Sequence, residues 1–247
     1  MILPWAWSAS KQAESGLKLR AKFVIAALKA PSVTRTLASA NGSSPLGELL
    51  AEWPETVGAL LWPYQCAAWN AETRFDRIAK HLEAVQQIRG LSLGLEDKLV
   101  LADLSFVSSG LSLIIDRARW LAREGHLTLS LFKDEFRAFT VSFSLANEPQ
   151  RELFIGGLQG RQSEGILTLY RDLTKDFEGM RPRDFLLEAL RLFAVNWAFG
   201  TFMLSQTSKR FHVMHILAAR KSAAFLTMTF GSIEAGLASH PPISSCL

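Results

Sequence analysis

Apolar positions recur every second residue in two stretches of the chain's second half. His126–Phe132 sets Leu127, Leu129 and Leu131 on one side, and Ala138–Leu145 sets Phe139, Val141, Phe143 and Leu145 together. Period two is the signature of a strand. The mostly polar residues Lys133–Arg137 between them predict an antiparallel hairpin with a five-residue connection. Further strands are expected over Lys98–Phe106, over Arg151–Gly157 after an Asn147-Glu148-Pro149 turn, and over Thr201–Ser205.

Elsewhere the spacing is helical. Ala71–Arg89 carries Phe75, Ile78, Ala79, Leu82 and Val85 on one face and stops at Gly90. Leu17–Lys29 mixes basic and apolar positions more loosely and ends at Pro31. After a polar linker at Ser39–Pro45, Leu46–Trp53 and Val57–Trp62 read as short helices closed by Pro54 and Pro63. Leu111–Arg123 is expected to be helical. Ile166–Phe177 ends at Gly179, and Asp184–Phe199 begins behind Pro182, carries the stripe Leu186, Leu190, Phe193 and Trp197, and stops at Gly200. The class is therefore α+β. A mainly helical portion, residues 1–119, packs on a mixed, mainly antiparallel sheet with helices, residues 120–217, followed by a tail over 218–247.

Composition narrows the function classes. With 49% hydrophobic and 20% charged residues, the chain is neither disordered nor low in complexity. Two cysteines make no disulfide framework and point to a reducing compartment. No stretch of about 20 apolar residues offers a membrane span, and Met1–Trp7 lacks the charged and apolar regions of a signal peptide. The expectation is a soluble, cytoplasmic protein. A net charge of +4 permits contact with anionic lipid or nucleic acid. The basic residues do not interleave with aromatics along a strand face, so no nucleic-acid partner is expected. A basic apolar helix such as Leu17–Lys29 suits either a membrane surface or packing on its own domain.

Several runs together resemble a known family. Gly125-His126-Leu127-Thr128-Leu129-Ser130-Leu131, Leu153-Phe154-Ile155-Gly156-Gly157-Leu158-Gln159-Gly160, Leu173-Thr174-Lys175 and Gly179-Met180-Arg181-Pro182-Arg183-Asp184-Phe185-Leu186-Leu187-Glu188-Ala189-Leu190 are similar to the VirK/YbjX family of Gram-negative bacteria. Arg74–Leu82 matches more weakly. The resemblance spans roughly residues 17–210 and implies a role in envelope integrity, virulence, surface-protein localisation and resistance to cationic antimicrobial peptides. It implies no reaction. The family continues into Tyr-Asp-x-Phe-Trp and Gly-Gly after the last strand. Here Ala218–Leu247 differs, but an alternate reading frame from Thr227 allows Tyr-Asp-Phe-Trp and then Gly-Gly, one residue shorter. The tail after about Arg220 is accordingly expected to be a frameshift product.

Candidate chemistry centres on the glycines. Gly156, Gly157, Gln159 and Gly160, with Arg161, are expected to form a loop between a strand and a helix. Backbone amides and a helix start there suit a phosphate. The order strand, glycine loop, helix, strand also resembles the acyl-CoA site of GNAT-type N-acyltransferases, which implies acyl-CoA as cofactor. The Arg/Gln-x-x-Gly-x-Gly/Ala spacing of those enzymes is missing, and a tight turn with close strand packing explains the same glycines. Arg161, Lys175, Arg181 and Arg183 could line an anionic ligand site near the two helix starts, with a solvated basic surface as the simpler reading. For proton transfer the candidates are His126, Glu124, Glu188 and Tyr170, with Glu188 also placed to pair with Arg191 or Arg183. His212 and His215 lack a third ligand at metal spacing, so no metal is expected. Two mechanisms stay open: an acyltransferase-like enzyme acting on an envelope precursor at the inner-membrane surface, or a non-enzymatic binding or assembly factor.

Overall fold

A computed structural model describes residues 16–40, 42–88, 91, 93–147, 151–196 and 201–204. The chain begins with helices α1 (Gly16–Lys29), α2 (Pro31–Ser39) and α3 (Pro45–Glu52), a 3₁₀ turn at Pro54–Leu60, and α4 (Ala71–Gln87). Prolines open α2, α3 and the 3₁₀ turn at first-turn positions, where a missing N–H costs nothing. Side chains cap two of the helices: Ser44 accepts from the Gly47 amide at 3.1 Å and Asn70 from the Thr73 amide at 2.8 Å. Phe23, Val33, Leu37, Leu50, Trp53, Val57, Phe75 and Ile78 bury one another as the core of this layer.

The sheet follows, with strands β1 (Leu99–Asp103), β2 (Leu111–Asp116), β3 (Leu127–Lys133), β4 (Phe136–Ala146) and β5 (Glu152–Gly160) side by side in chain order. All four pairings are antiparallel. Helices α5 (Ile166–Asp176) and α6 (Pro182–Asn196) then lead to β6 (Thr201–Leu204), which pairs parallel with β5. The architecture is α+β, as the hydrophobic pattern predicts.

Each sheet face has its own cover. Leu127, Leu129, Leu131, Val141, Phe143, Leu145, Leu153 and Ile155 form the apolar face and are buried with Phe185, Leu186, Leu190 and Phe193 of α6. Phe143 meets Phe193 edge-on at 6.0 Å, and Phe177 stacks on Phe185 at 4.2 Å. Each such ring contributes about 1.5–3 kcal/mol through burial. The opposite face carries Asp116, Thr128, Ser130, Thr140, Ser142 and Ser144, all buried. Residues from the helical layer reach it: Gln65 to Ser144, Trp69 to Phe154 and Arg77 to Glu152.

Three expectations need correction. Leu111–Arg123 is not a helix but strand β2 followed by a 3₁₀ turn at Arg119–Leu121. Six residues buried almost throughout, with adjacent Ile114 and Ile115, suit a strand enclosed on both faces. The hairpin connection is two residues, Asp134 and Glu135, because Lys133 pairs with Phe136 and Phe132 with Arg137. The Gly156–Gly160 run is strand rather than loop, since Gly157, Leu158, Gln159 and Gly160 pair with Ser142, Val141, Thr140 and Phe139. The expected stops at Gly90 and Gly200, part of the Asn147–Pro149 turn, His212 and His215, and the tail over 218–247 lie outside the described residues.

Candidate functional site

His126 sits where the helical layer meets the polar face of the sheet. It ends the turn behind β2 and is 3% exposed. Its ring lies 5.4 Å from Trp53, 5.3 Å from Tyr64 and 5.8 Å from His81, nearly stacked on the last. The Tyr64 hydroxyl and His126 Nδ1 are 3.0 Å apart. His81 Nδ1 accepts the Leu145 backbone N–H at 3.1 Å, which puts the His81 proton on Nε2. Three separated stretches of chain thus deliver Tyr64, His81 and His126 to one place.

Two cavities adjoin this cluster, and His126 belongs to the walls of both. One, of about 280 Å³, is lined by Tyr64, Trp62, Glu55, Arg119 and Arg123. The other, of about 190 Å³, is lined by His81, Leu82, Val85, Glu52 and Arg117. The larger is near the lower end of the size range of small-molecule sites, about 300 Å³. Arg119 is paired with Glu55, which holds the Glu55 carboxyl below its usual range. Arg117 lies 4.7 Å over the Trp53 ring and bonds Glu52 and the Leu93 carbonyl.

Burial governs the ionisation here. Removing an imidazolium from water is costly, so His81 titrates at about 3 and His126 well below the usual histidine range. The Arg117 charge adds to both shifts. Burial likewise pushes the Tyr64 hydroxyl far up and raises the Glu124 carboxyl. Three buried polar atoms in this region, His126 Nε2, Trp53 Nε1 and Glu124 Oε2, have no hydrogen-bond partner among the described residues. Unpaired buried groups of this kind are uncommon and mark places where water or a ligand completes the bonding.

A pH dependence follows. Unfolded, both histidines take up a proton near pH 6.5; folded, they refuse it. Their stabilisation is therefore complete above pH 6.5 and falls as pH drops, by on the order of 1 kcal/mol per pH unit for each histidine. Glu124 works the other way, since its raised value favours the folded state when protonated. The urea midpoint is expected to fall clearly between pH 7.5 and 5.0, with a shallower fall in His81→Gln. A midpoint flat over that interval would contradict the buried, neutral pair.

The structure divides the residues proposed from sequence. His126 is at the cluster, and Glu124 is two residues before it, its backbone tied to the sheet through Gln65: Gln65 Nε2 bonds the Glu124 carbonyl at 3.1 Å and Gln65 Oε1 accepts from Ser144 at 2.9 Å. Gly156 and Gly157 lie against Glu124. Gly156 is the extra residue of a bulge in β5, and a Cβ there would overlap the Glu124 carbonyl. A Cβ on Gly157 would lie 2.9 Å from Glu124 Cγ. The glycines let the Glu124 segment lie directly on the sheet.

Tyr170, Gly160 and Arg161 form a separate group. The Tyr170 hydroxyl donates to the Ala138 carbonyl at 2.8 Å, and its ring packs on Phe139, whose face of the sheet is not that of His126. Gly160 gives it room, since a Cβ there would stand 2.7 Å from the hydroxyl. Gln159 is on the same exposed end of β5, and Arg161 and Arg181 are exposed. Glu188 is buried in α6 and chelated by Arg191, with contacts from 2.6 to 3.0 Å. Sequence reasoning missed Tyr64, His81 and Trp53. The available signal was the lack of charge at the alternate strand positions Thr128, Ser130, Thr140, Ser142 and Ser144, which a solvent-facing side rarely shows.

Among the described residues, no three His, Cys, Asp or Glu side chains are grouped to hold a metal, and no helix is long and apolar enough to cross a membrane. No curated protein and no solved structure gives a match. Residues 13–226 match the model of a family described as a protein of unknown function (DUF535). That match covers most of the chain, which therefore belongs to the DUF535 family, the same as the VirK/YbjX family.

Proposed function

We propose that this protein supports the Gram-negative cell envelope, and with it resistance to cationic antimicrobial peptides, as a group-transfer enzyme whose general base is His126. One observation carries the reading: a neutral, buried histidine, bonded through Nδ1 to Tyr64 and, among the described residues, unpartnered at Nε2, in the walls of two cavities. In the tautomer that donates Nδ1–H to the Tyr64 oxygen, Nε2 carries a free lone pair. It then takes a proton from a substrate hydroxyl or amine as that atom bonds to the transferred group; the bond between that group and its donor breaks, and the imidazolium returns the proton to the departing part of the donor. Burial keeps this nitrogen unprotonated at neutral pH. Arg123, at the larger cavity, supplies charge for an anionic part of the substrate.

Acyl-CoA is the donor class this reading carries. Its support is the order of elements: antiparallel strands, a bulge at Gly156, two helices, and a last strand parallel to β5. That support is analogy at the level of the fold. The test is a thermal-unfolding scan with and without acetyl-CoA. At a hundredfold excess over its dissociation constant, a native-state ligand adds about 2.7 kcal/mol, a rise of roughly 5–10 °C in a chain of this size. An unmoved midpoint would overturn the acyl-donor assignment and favour a binding or assembly factor that uses the same cavities without chemistry.

A further inference from the structure

Helix α1 has two apolar sides. Phe23 and Ala27 face the helical layer and are buried, with Phe23 edge-on to Trp62 at 5.7 Å. On the other side Leu17, Val24, Ile25 and Leu28 are exposed, Leu17 at 84% and Leu28 at 77%. At 100° per residue, these four and Ala21 fall within an arc of about 100°. Lys18, Lys22 and Lys29 follow along one border of that arc, all exposed. None of the three is in an ion pair among the described residues, and the helix contains no acidic residue.

We propose that this outer face of α1 docks the protein on an anionic lipid bilayer. An aliphatic stripe bordered by a single sign of charge is what an interfacial helix presents to lipid: side chains enter the acyl boundary while lysines reach anionic headgroups. Charge complementarity selects the occupant. Three lysines and no carboxylate suit a surface of uniform negative charge. The inner side, anchored through Phe23, holds the helix flat on the body of the protein, so the stripe lies in the membrane plane. The inference does not depend on the role of His126.

The test is flotation of the full chain with vesicles of phosphatidylethanolamine and phosphatidylglycerol, against vesicles of phosphatidylcholine alone. Wild type is expected to float with the anionic vesicles only, and less at high salt. Ile25→Gln with Leu28→Gln should lower partitioning at least about tenfold. Lys18→Gln with Lys22→Gln should lower it about fivefold per charge. All four positions are exposed, so the unfolding midpoint should not move, and the lysine variant stands as an independent test if the apolar one fails to fold. Absence of flotation, or equal flotation of wild type and the lysine variant, would overturn the proposal. A concentration-dependent dimer abolished by Leu28→Gln, without vesicle binding, would instead assign the face to a second copy of the chain.

Discussion

Arg137→Ala is expected to lower the unfolding free energy by about 3–5 kcal/mol, the cost of leaving a buried charge without its partner. Arg137 lies along the polar face of the sheet. Its Nη1 reaches Ser130 Oγ at 2.5 Å and Asp116 Oδ1 at 3.1 Å, and its Nη2 pairs with Asp116 Oδ2. The guanidinium also packs over the rings of Trp120 and Phe132, at 5.0 and 4.6 Å from their centres. Asp116 is 6% exposed and also accepts from Thr128. Removing the arginine strands that carboxylate among Ser and Thr hydroxyls and takes away the cation packed on the two rings. At about 2–4 °C per kcal/mol, the midpoint should drop by roughly 6–20 °C. Replacing both partners with apolar residues, Arg137→Met with Asp116→Leu, should recover most of the loss, because an apolar pair carries no desolvation penalty. Urea unfolding of the single and double variants checks this. A loss below about 1 kcal/mol for Arg137→Ala would mean that solvent reaches Asp116 freely.

How much of this was legible beforehand depended on whether a feature was local. Strands β3 and β4 were readable because Leu127, Leu129, Leu131 and Phe139, Val141, Phe143 alternate with small polar residues. Helix α4 was readable from its 3.6 spacing and starts at the Asn70 cap. Strand β2 was not, because Leu111-Ser112-Leu113-Ile114-Ile115 is apolar on both faces and has no period to distinguish strand from helix. The hairpin turn shortened because Phe136 and Arg137 joined the ladder, leaving Asp134 in the left-handed region at φ 53° to close it. The glycine run suggested a loop, but its meaning is a contact with Glu124, more than thirty residues earlier, that no local pattern announces. The site shows the same division. His126 could be chosen for its residue type, whereas Tyr64, His81 and Trp53 join it only through packing of the helical layer on the sheet.

The second large effect is loss of function in His126→Gln. Glutamine fills similar space and keeps a polar group near Tyr64, but it cannot take up a proton. If His126 only holds the fold together, glutamine should cost a modest amount of stability and leave activity in proportion to the folded protein. If it is the base, activity should fall by about 10²–10⁴, the usual contribution of general-base catalysis, while the protein remains folded. Tyr64→Phe separates orientation from proton transfer, since it removes the partner of Nδ1 and leaves the imidazole, and a partial loss is expected. The deciding measurement is growth of a strain lacking the chromosomal copy, under a cationic antimicrobial peptide, when it carries His126→Gln at the wild-type protein level. Failure to restore resistance, with the unfolding midpoint near that of wild type, is the predicted result; full restoration would contradict the assignment of His126 as the acting base.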